Sequence, residues 1–254
     1  MIPAIQLYSM RDVPDQTGLL SRLRKLGVTT VEGYGGVYGD PVAFRAAMDE
    51  NGLSMPSGHV ALNEIEGQFD TTKTLAATLG MTRIFAPYLA PEDRPDTSEG
   101  WTALARRLNT VARRCSDAGL TFGWHNHDFE FAKLRDGGVP MDILLDVAPD
   151  ITWEADLAWI ERGGSDPLTY IHRYKDRLAA VHVKDIAKKG DHVDEDGWCN
   201  LGTGVMDWPA LLRACQGASG GLLYVLEHDK PSHPETFAKR SINAFDAMWE
   251  NADG

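Results

Sequence analysis

The sequence predicts an α/β protein, a single-domain (β/α)8 TIM barrel spanning residues 1–254. Three observations predict it. Short apolar runs alternate with longer helical patterns eight times over 254 residues, the usual length of eight strand–helix units. Gly27, Gly52, Gly80 and Gly119 each stand just after a helical pattern and just before an apolar run, where glycine adopts the left-handed conformation that ends a helix. The polar residues able to do chemistry gather where the apolar runs end, which is where barrels of this class carry their sites. The competing doubly wound sheet expects a glycine-rich phosphate loop after strand one, and Tyr8-Ser9-Met10-Arg11-Asp12 contains no glycine. No linker or low-complexity stretch divides the chain.

The elements follow in order. Ile2 to Tyr8 is the first apolar run and strand, and Asp15 to Leu26 the first helix, stopped by Gly27. Val28 to Glu32 is strand two, followed by a helix from about Pro41 to Asn51 and the stop Gly52. Leu53 to His59 is strand three, and one helix then runs to Leu79 and Gly80. Thr82 to Pro87 is strand four, and Thr97 to Ala118 a long helix ended by Gly119. Leu120 to Asn126 is strand five, with a short helix at Met141 to Val147. Ile151 to Glu154 is strand six, with a helix at Pro167 to Tyr174. Leu178 to Lys184 is strand seven, with a helix at Trp208 to Cys215. Gly221 to Glu227 is strand eight, and Pro234 to Trp249 the last helix.

Composition bounds the function. The chain is 43% hydrophobic and 24% charged, with a formal net charge of −12 and a pI near 5.0. This acidic balance argues against a nucleic-acid partner, since phosphate binding needs a surplus of Lys and Arg. Cys115, Cys199 and Cys215 are odd in number and form no CxxC pair, which fits a reducing cytoplasm and a packing role. No signal peptide and no run of about 18 apolar residues is read, so no membrane association is expected.

The densest chemical signal is Thr121-Phe122-Gly123-Trp124-His125-Asn126-His127-Asp128-Phe129-Glu130-Phe131, a strand that ends in imidazoles and carboxylates. Strand two ends at Glu32 and strand three at His59. Strand six runs through Glu154 to Asp156, strand seven through His182, Lys184 and Asp185, and strand eight through Glu227, His228 and Asp229. His182 and Lys184 share the inward face, while Val181 and Val183 point toward the helices. Inward polar groups need partners, because each unpaired one costs roughly 1–3 kcal/mol, and a metal and a substrate are candidates. His125, Asp156, His182 and Glu227 offer mixed nitrogen and oxygen ligands, suited to Mn²⁺, Co²⁺, Fe²⁺ or Zn²⁺ rather than Ca²⁺ or Mg²⁺. No local metal motif such as HExxH exists.

The chain resembles the sugar phosphate isomerase/epimerase superfamily, the xylose-isomerase-like barrels. Gln6-Leu7-Tyr8-Ser9-Met10-Arg11-Asp12, His125 through Phe131, His182-Val183-Lys184-Asp185, Leu201-Gly202-Thr203-Gly204-Val205-Met206-Asp207-Trp208 and Glu227-His228-Asp229 carry the resemblance over nearly the whole length. It implies one divalent metal ion, Mn²⁺ first, held by Glu, Asp, His and Glu from strands five to eight. Asp156, His182 and Glu227 match the last three. His125 stands where many relatives carry glutamate, so either His125 is the fourth ligand, or Glu130 reaches back, or the metal keeps an extra water.

The expected reaction is isomerisation or epimerisation of a sugar or keto-sugar through an enediolate. Glu227 would take a proton, and His125 or Lys184 would return it. His127 and Lys184 are expected substrate contacts, and Glu32, His59 and Glu154 are expected either as substrate contacts or as partners that orient the metal ligands. Elimination from a 3-keto-glycoside or inosose by a dehydratase is the alternative; an endonuclease IV-like nuclease and a non-catalytic sugar-binding barrel are further ones. A small sugar and, in oligomer form, a second copy of the chain are the expected partners.

Simpler readings accompany these. Lys184 could instead pair with Asp185 or Glu154, and Asp185 could simply orient Lys184 or begin the next loop. His172, His192 and His233 read as surface residues. Arg106, Arg107, Arg113 and Arg114 read as a solvated helix face. Trp124, Trp153 and Trp159 read as the floor of a sugar pocket or as packing.

Overall fold

The computed structural model describes residues 2–218 and 221–252. Positions 1, 219–220 and 253–254, which the single-domain expectation also covers, lie outside the described residues. The chain begins with β1 (Ala4–Gln6), α1 (Gln16–Lys25), β2 (Thr30–Gly33), α2 (Pro41–Glu50) and β3 (Ser54–His59). It continues with α3 (Leu62–Gly67), α4 (Phe69–Leu79), β4 (Arg83–Ala86), α5 (Ser98–Asp117) and β5 (Thr121–His125). Then come α6 (Pro140–Val147), β6 (Thr152–Asp156), α7 (Leu157–Arg162), α8 (Pro167–Tyr174) and β7 (Leu178–Val183). The last elements are β8 (Asp185–Ile186), β9 (Trp198–Cys199), α9 (Trp208–Cys215), β10 (Leu223–Leu226) and α10 (Pro234–Ala252).

Eight of the strands close a parallel barrel in the order β1-β10-β7-β6-β5-β4-β3-β2. Helices wrap it because each buries an apolar stripe against the outward residues of the strands. On α5 that stripe is Trp101, Leu104, Ala105, Leu108, Val111, Ala112 and Cys115, at helical spacing. Aspartates and a threonine start most helices by accepting a backbone N–H: Asp15 from Gly18, Asp40 from Ala43, Thr97 from Gly100 and Asp207 from Ala210. The four glycine stops take φ of 91° (Gly27), 62° (Gly52), 83° (Gly80) and 77° (Gly119).

The architecture matches the sequence expectation, with four local departures. The helix before Leu79 is two helices, α3 and α4, broken at Gln68. β6 runs on to Asp156, two residues past Glu154, and passes without a loop into α7, which the apolar pattern did not reveal. The first strand stops at Gln6, where a single turn of 3₁₀ helix begins. Past β7 the chain forms a small antiparallel ribbon, β8 on β9. Asp185 anchors the loop beyond it, its carboxylate accepting from the backbone N–H of Ile186, Gly202, Gly204 and Met206. Lys184 is therefore not its partner.

Two glycines test how the barrel is assembled. At Gly119 an added Cβ would meet nothing within 4 Å, so only its left-handed φ of 77° opposes a side chain. At Gly123 on β5 the same Cβ would stand 2.7 Å from the carbonyl oxygen of Thr152 and 2.7 Å from the Phe85 ring. Gly119→Ala should cost about 1 kcal/mol. Gly123→Ala should cost about 3 kcal/mol, because a neighbouring strand must move. Urea unfolding of both variants checks the order; equal losses would contradict this division between backbone conformation and strand contact.

Candidate active site

Register sets the functional side chains beside one another. Gln6 is opposite Glu32, and Glu32 opposite Ser57. Gln6 Nε2 donates to Glu32 Oε1 at 2.9 Å, and Ser57 Oγ donates to Glu32 Oε2. His182 Nε2 lies 2.8 Å from the same Glu32 Oε1. Glu32 is fully buried; burial, and then Glu154, push its carboxyl up. Expected either as a substrate contact or as a partner that orients a ligand, it is enclosed by protein groups and fixes one nitrogen of His182, as outer partners of ligating histidines do.

A second set surrounds Glu154. Its Oε2 lies 2.5 Å from His59 Nε2, 3.1 Å from His125 Nδ1 and 3.4 Å from His182 Nε2. Burial alone would raise the Glu154 carboxyl, but His182 and His59 hold it well below the usual carboxylate range. Burial lowers the His125 imidazole to about 3, leaving it neutral.

A third set meets at the other nitrogen of His182. Nδ1 is 3.0 Å from Glu227 Oε2, and Lys184 Nζ is 2.6 Å from that same oxygen. Lys184 also lies 2.9 Å from Asp156 Oδ2 and 3.0 Å from Asp229 Oδ2. Its partners are therefore these three carboxylates, not Asp185 or Glu154. Burial raises Asp156 to about 6. Burial opposes charge on Glu227 as well, but Lys184 and His182 hold it well below the usual range. Asp156 uses its other oxygen, Oδ1, to accept from Trp159 N and cap α7.

The four residues expected as one ligand set are thus divided. Candidate metal-ligand atoms of Asp156, His182 and Glu227 all lie within 4.8 Å of one another, while His125 groups with His59, Glu154 and His182. The reason is register: His125 sits opposite Glu154, one pleat deeper on β6 than Asp156. Nor does Glu130 reach back. It is buried, accepts from Trp124 Nε1 at 3.0 Å and from His127 N at 2.9 Å, and appears in neither group.

The residues present fit a divalent cation. Among the described residues Lys184 is the only buried Lys or Arg, while Glu32, Glu154, Asp156 and Glu227 are buried carboxylates of the same barrel interior. One donor atom each of Asp156, His182 and Glu227 lies within 4.8 Å of the others, and this N/O donor set matches a first-row divalent metal.

A cavity of about 470 Å³ opens over these sets, lined by His59, His125, His127, Glu227 and Asp229 and rimmed by Tyr8, Tyr34 and Tyr88. His127 turns a ring nitrogen, Nδ1, inward without a hydrogen-bond partner. Asp229, Asn126 and the rim tyrosines had no assigned role in the sequence reading. Asp229 completes the lysine's partners, and the tyrosines form the rim; the Asp229-containing strand end was visible, the tyrosines gave no pattern. Asn126 clamps β5 to β6, accepting from Trp153 Nε1 at 2.8 Å and Asp156 N at 3.1 Å while donating to Asp156 O at 3.0 Å. Trp124 and Trp153 are fully buried packing residues, and Trp159 stands edge-on to Trp198 with centroids 4.7 Å apart. His172, His192 and His233 are exposed, as are the four helix arginines.

Burial raises the Glu130 carboxyl to about 7. The folded state therefore keeps a proton that the unfolded chain releases near the ordinary glutamate value, and stability from this group declines between about pH 4.5 and 7. Glu130→Gln removes that decline. Urea unfolding across this range should give a wild-type-minus-variant difference that shrinks as pH rises; a flat difference would refute the shift.

Comparison with known proteins agrees with the barrel fold. The family model for the xylose isomerase-like TIM barrel matches residues 20–248. An inosose dehydratase of Geobacillus kaustophilus is 25% identical over 92% of this chain and 87% of its own. A sugar phosphate isomerase/epimerase of Parabacteroides distasonis superposes with a TM-score of 0.78 at 23% identity, covering 96% of this chain and 93% of its own. The IolI protein, in a structure with a bound zinc atom, superposes with a TM-score of 0.77 at 14% identity over 99% and 98%. With most of its length matched by the family model, the chain belongs to the xylose isomerase-like TIM barrel family.

Proposed function

We propose that the chain is a divalent-metal-dependent enzyme that removes a proton from the carbon beside the carbonyl of a keto-sugar or keto-cyclitol and expels the β-hydroxyl as water. One observation carries this reading. Among the described residues, Glu227 is the only carboxylate that both lines the cavity and belongs to a metal-type group.

A divalent cation at Asp156, His182 and Glu227 would supply Lewis-acid polarisation of a carbonyl and its neighbouring hydroxyl. The protein residues do the rest. Glu227 Oε2 is held by Lys184 Nζ, 2.6 Å away, which keeps the carboxylate ionised and leaves Oε1 to accept the C–H proton. Lys184, held as an ammonium by Asp156, Asp229 and Glu227 against the effect of burial, acts as a fixed positive charge beside the developing enolate oxygen. The C–H electron pair moves toward the carbonyl and back to form the new double bond. The β-hydroxide leaves with the proton that Glu227 took. One carboxyl thus serves as base and acid on a single face. The similarity to an inosose dehydratase supports elimination as the outcome.

Epimerisation, or isomerisation through the same enolate, is the second reading. His125 faces the same cavity from β5, three strands round the barrel from β10, on the side from which a proton would reach the opposite face of the enolate. The acidic balance of the chain supports a sugar rather than a nucleic acid as ligand.

Glu227→Gln should lower kcat by about 10²–10⁴-fold with the fold intact by circular dichroism. Incubation of wild type with keto-cyclitols and keto-glycosides in D₂O, read by mass spectrometry, should give a product one water lighter. A deuterated epimer without loss of water would support the second reading instead. Near-normal turnover by the variant would remove Glu227 from the chemistry.

A further inference from the structure

A second cavity, of about 730 Å³, adjoins the one over the candidate site. Ala61, Pro87 and Tyr88 line both, so the two meet where the chain leaves β3 and β4. α3, the segment after β4 and the first turns of α5 form the walls of the second. Leu62 and Leu104, both buried, give it apolar surface. Asn63, Glu66, Asp93 and Arg107 give it polar groups, and Arg107 Nε is paired with Glu66 Oε1 at 2.8 Å. Tyr88 belongs to both cavities and is 47% exposed. Its ring is nevertheless held: it meets His127 edge-on at 5.2 Å and Phe129 at 5.9 Å, and the Arg94 guanidinium lies 5.1 Å from its centroid. An aromatic ring fixed by three neighbours, with nearly half its surface open, is a platform rather than packing.

We infer that the second cavity is a subsite for a second sugar ring, so that the ligand is a glycoside: its keto ring lies over Glu227 and its other ring lies past Tyr88. The inference rests on the sugar reading above and adds the size of the ligand to it. Each cavity by itself falls within the roughly 300–1,000 Å³ of small-molecule sites, so a single ring over Glu227 leaves the second cavity unused. Chemistry selects the occupant. A pyranose presents C–H groups on its faces and hydroxyls round its edge. Leu62, Leu104 and the Tyr88 ring suit the first, and Asn63, Glu66, Asp93 and Arg107 suit the second. A phosphate or carboxylate group is opposed, because Glu66 and Asp93 outnumber Arg107, and Glu66 already pairs with it. A wholly apolar group would take water from these polar side chains without replacing its hydrogen bonds.

Saturation-transfer NMR on the full chain with added Mn²⁺-free Zn²⁺ tests this, since it reads contact between ligand protons and protein whether or not turnover occurs. The probes are methyl 3-ketoglucoside, which has one ring, and 3-ketocellobiose and 3-ketomaltose, whose oxidised ring carries a glucose in two linkages. In at least one disaccharide both rings should receive saturation, with a Kd about tenfold below that of methyl 3-ketoglucoside. Ala103, exposed on α5, lines the second cavity and not the first. Ala103→Trp should therefore remove saturation from the glucose ring and abolish the tenfold gain, leaving the Kd of methyl 3-ketoglucoside unchanged and thermal unfolding by circular dichroism near wild type. Equal Kd values for all three probes, with saturation confined to the oxidised ring, would overturn the subsite and keep the sugar reading. A glucose ring that keeps its saturation and its gain in Ala103→Trp lies elsewhere and overturns the subsite too. No saturation of any probe would overturn the sugar reading, and the subsite with it.

Discussion

Lys184 Nζ lies within 3.0 Å of three carboxylates brought by two separate stretches of chain: Asp156 at the end of β6, and Glu227 and Asp229 beyond β10. Lys184 itself directly follows β7, the strand between them in the barrel. Charges buried this deeply stabilise little by themselves, since desolvation offsets most of the attraction, but breaking one partner out of such a set is costly. The ammonium therefore fixes relative positions more than it adds stability. Glu227 stays ionised because Lys184 touches it, and Asp156 turns one oxygen inward because Lys184 is there to meet it. The cavity inherits its field from this arrangement.

Around that ammonium the barrel interior is polar where many barrels are filled by branched apolar side chains. Gln6, Glu32 and Ser57 form a hydrogen-bonded base, and His182 connects it to the mouth. The hydrophobic work is done outside the ring of strands. Phe122 and Trp124 of β5 and Trp153 of β6 are fully buried, with both indole N–H groups spoken for by Glu130 and Asn126. The His-Asn-His run thus divides its roles: His125 and His127 face the cavity, and Asn126 holds the strand that carries Asp156.

Much of this was legible in the sequence because it depends on local rules. Glycine after a helix, alternation along a strand and polar residues at strand ends are periodic or positional signals, and they located the barrel, His182 and Glu227. What escaped depends on how strands slide against one another. Which of Glu154 and Asp156 stands beside His125 is a matter of parallel register, fixed by packing around the whole ring, so the expected four-ligand set split in two. The ribbon of β8 and β9 is two residues per strand, too short for a pattern. Helix α7 was hidden because the residue that starts it, Asp156, already had a reading as a site residue.

That double use of Asp156 has a consequence for how the protein can vary. One oxygen begins a helix and the other faces the buried ammonium, with no loop between strand and helix to absorb an error. A side chain one methylene longer would displace one of the two oxygens, and an amide would keep the cap while surrendering the charge. The position is narrowed to aspartate by geometry on one side and electrostatics on the other. The rim tyrosines bear no such twin constraint, so new ligand preferences can arise there while the base of the barrel stays as it is.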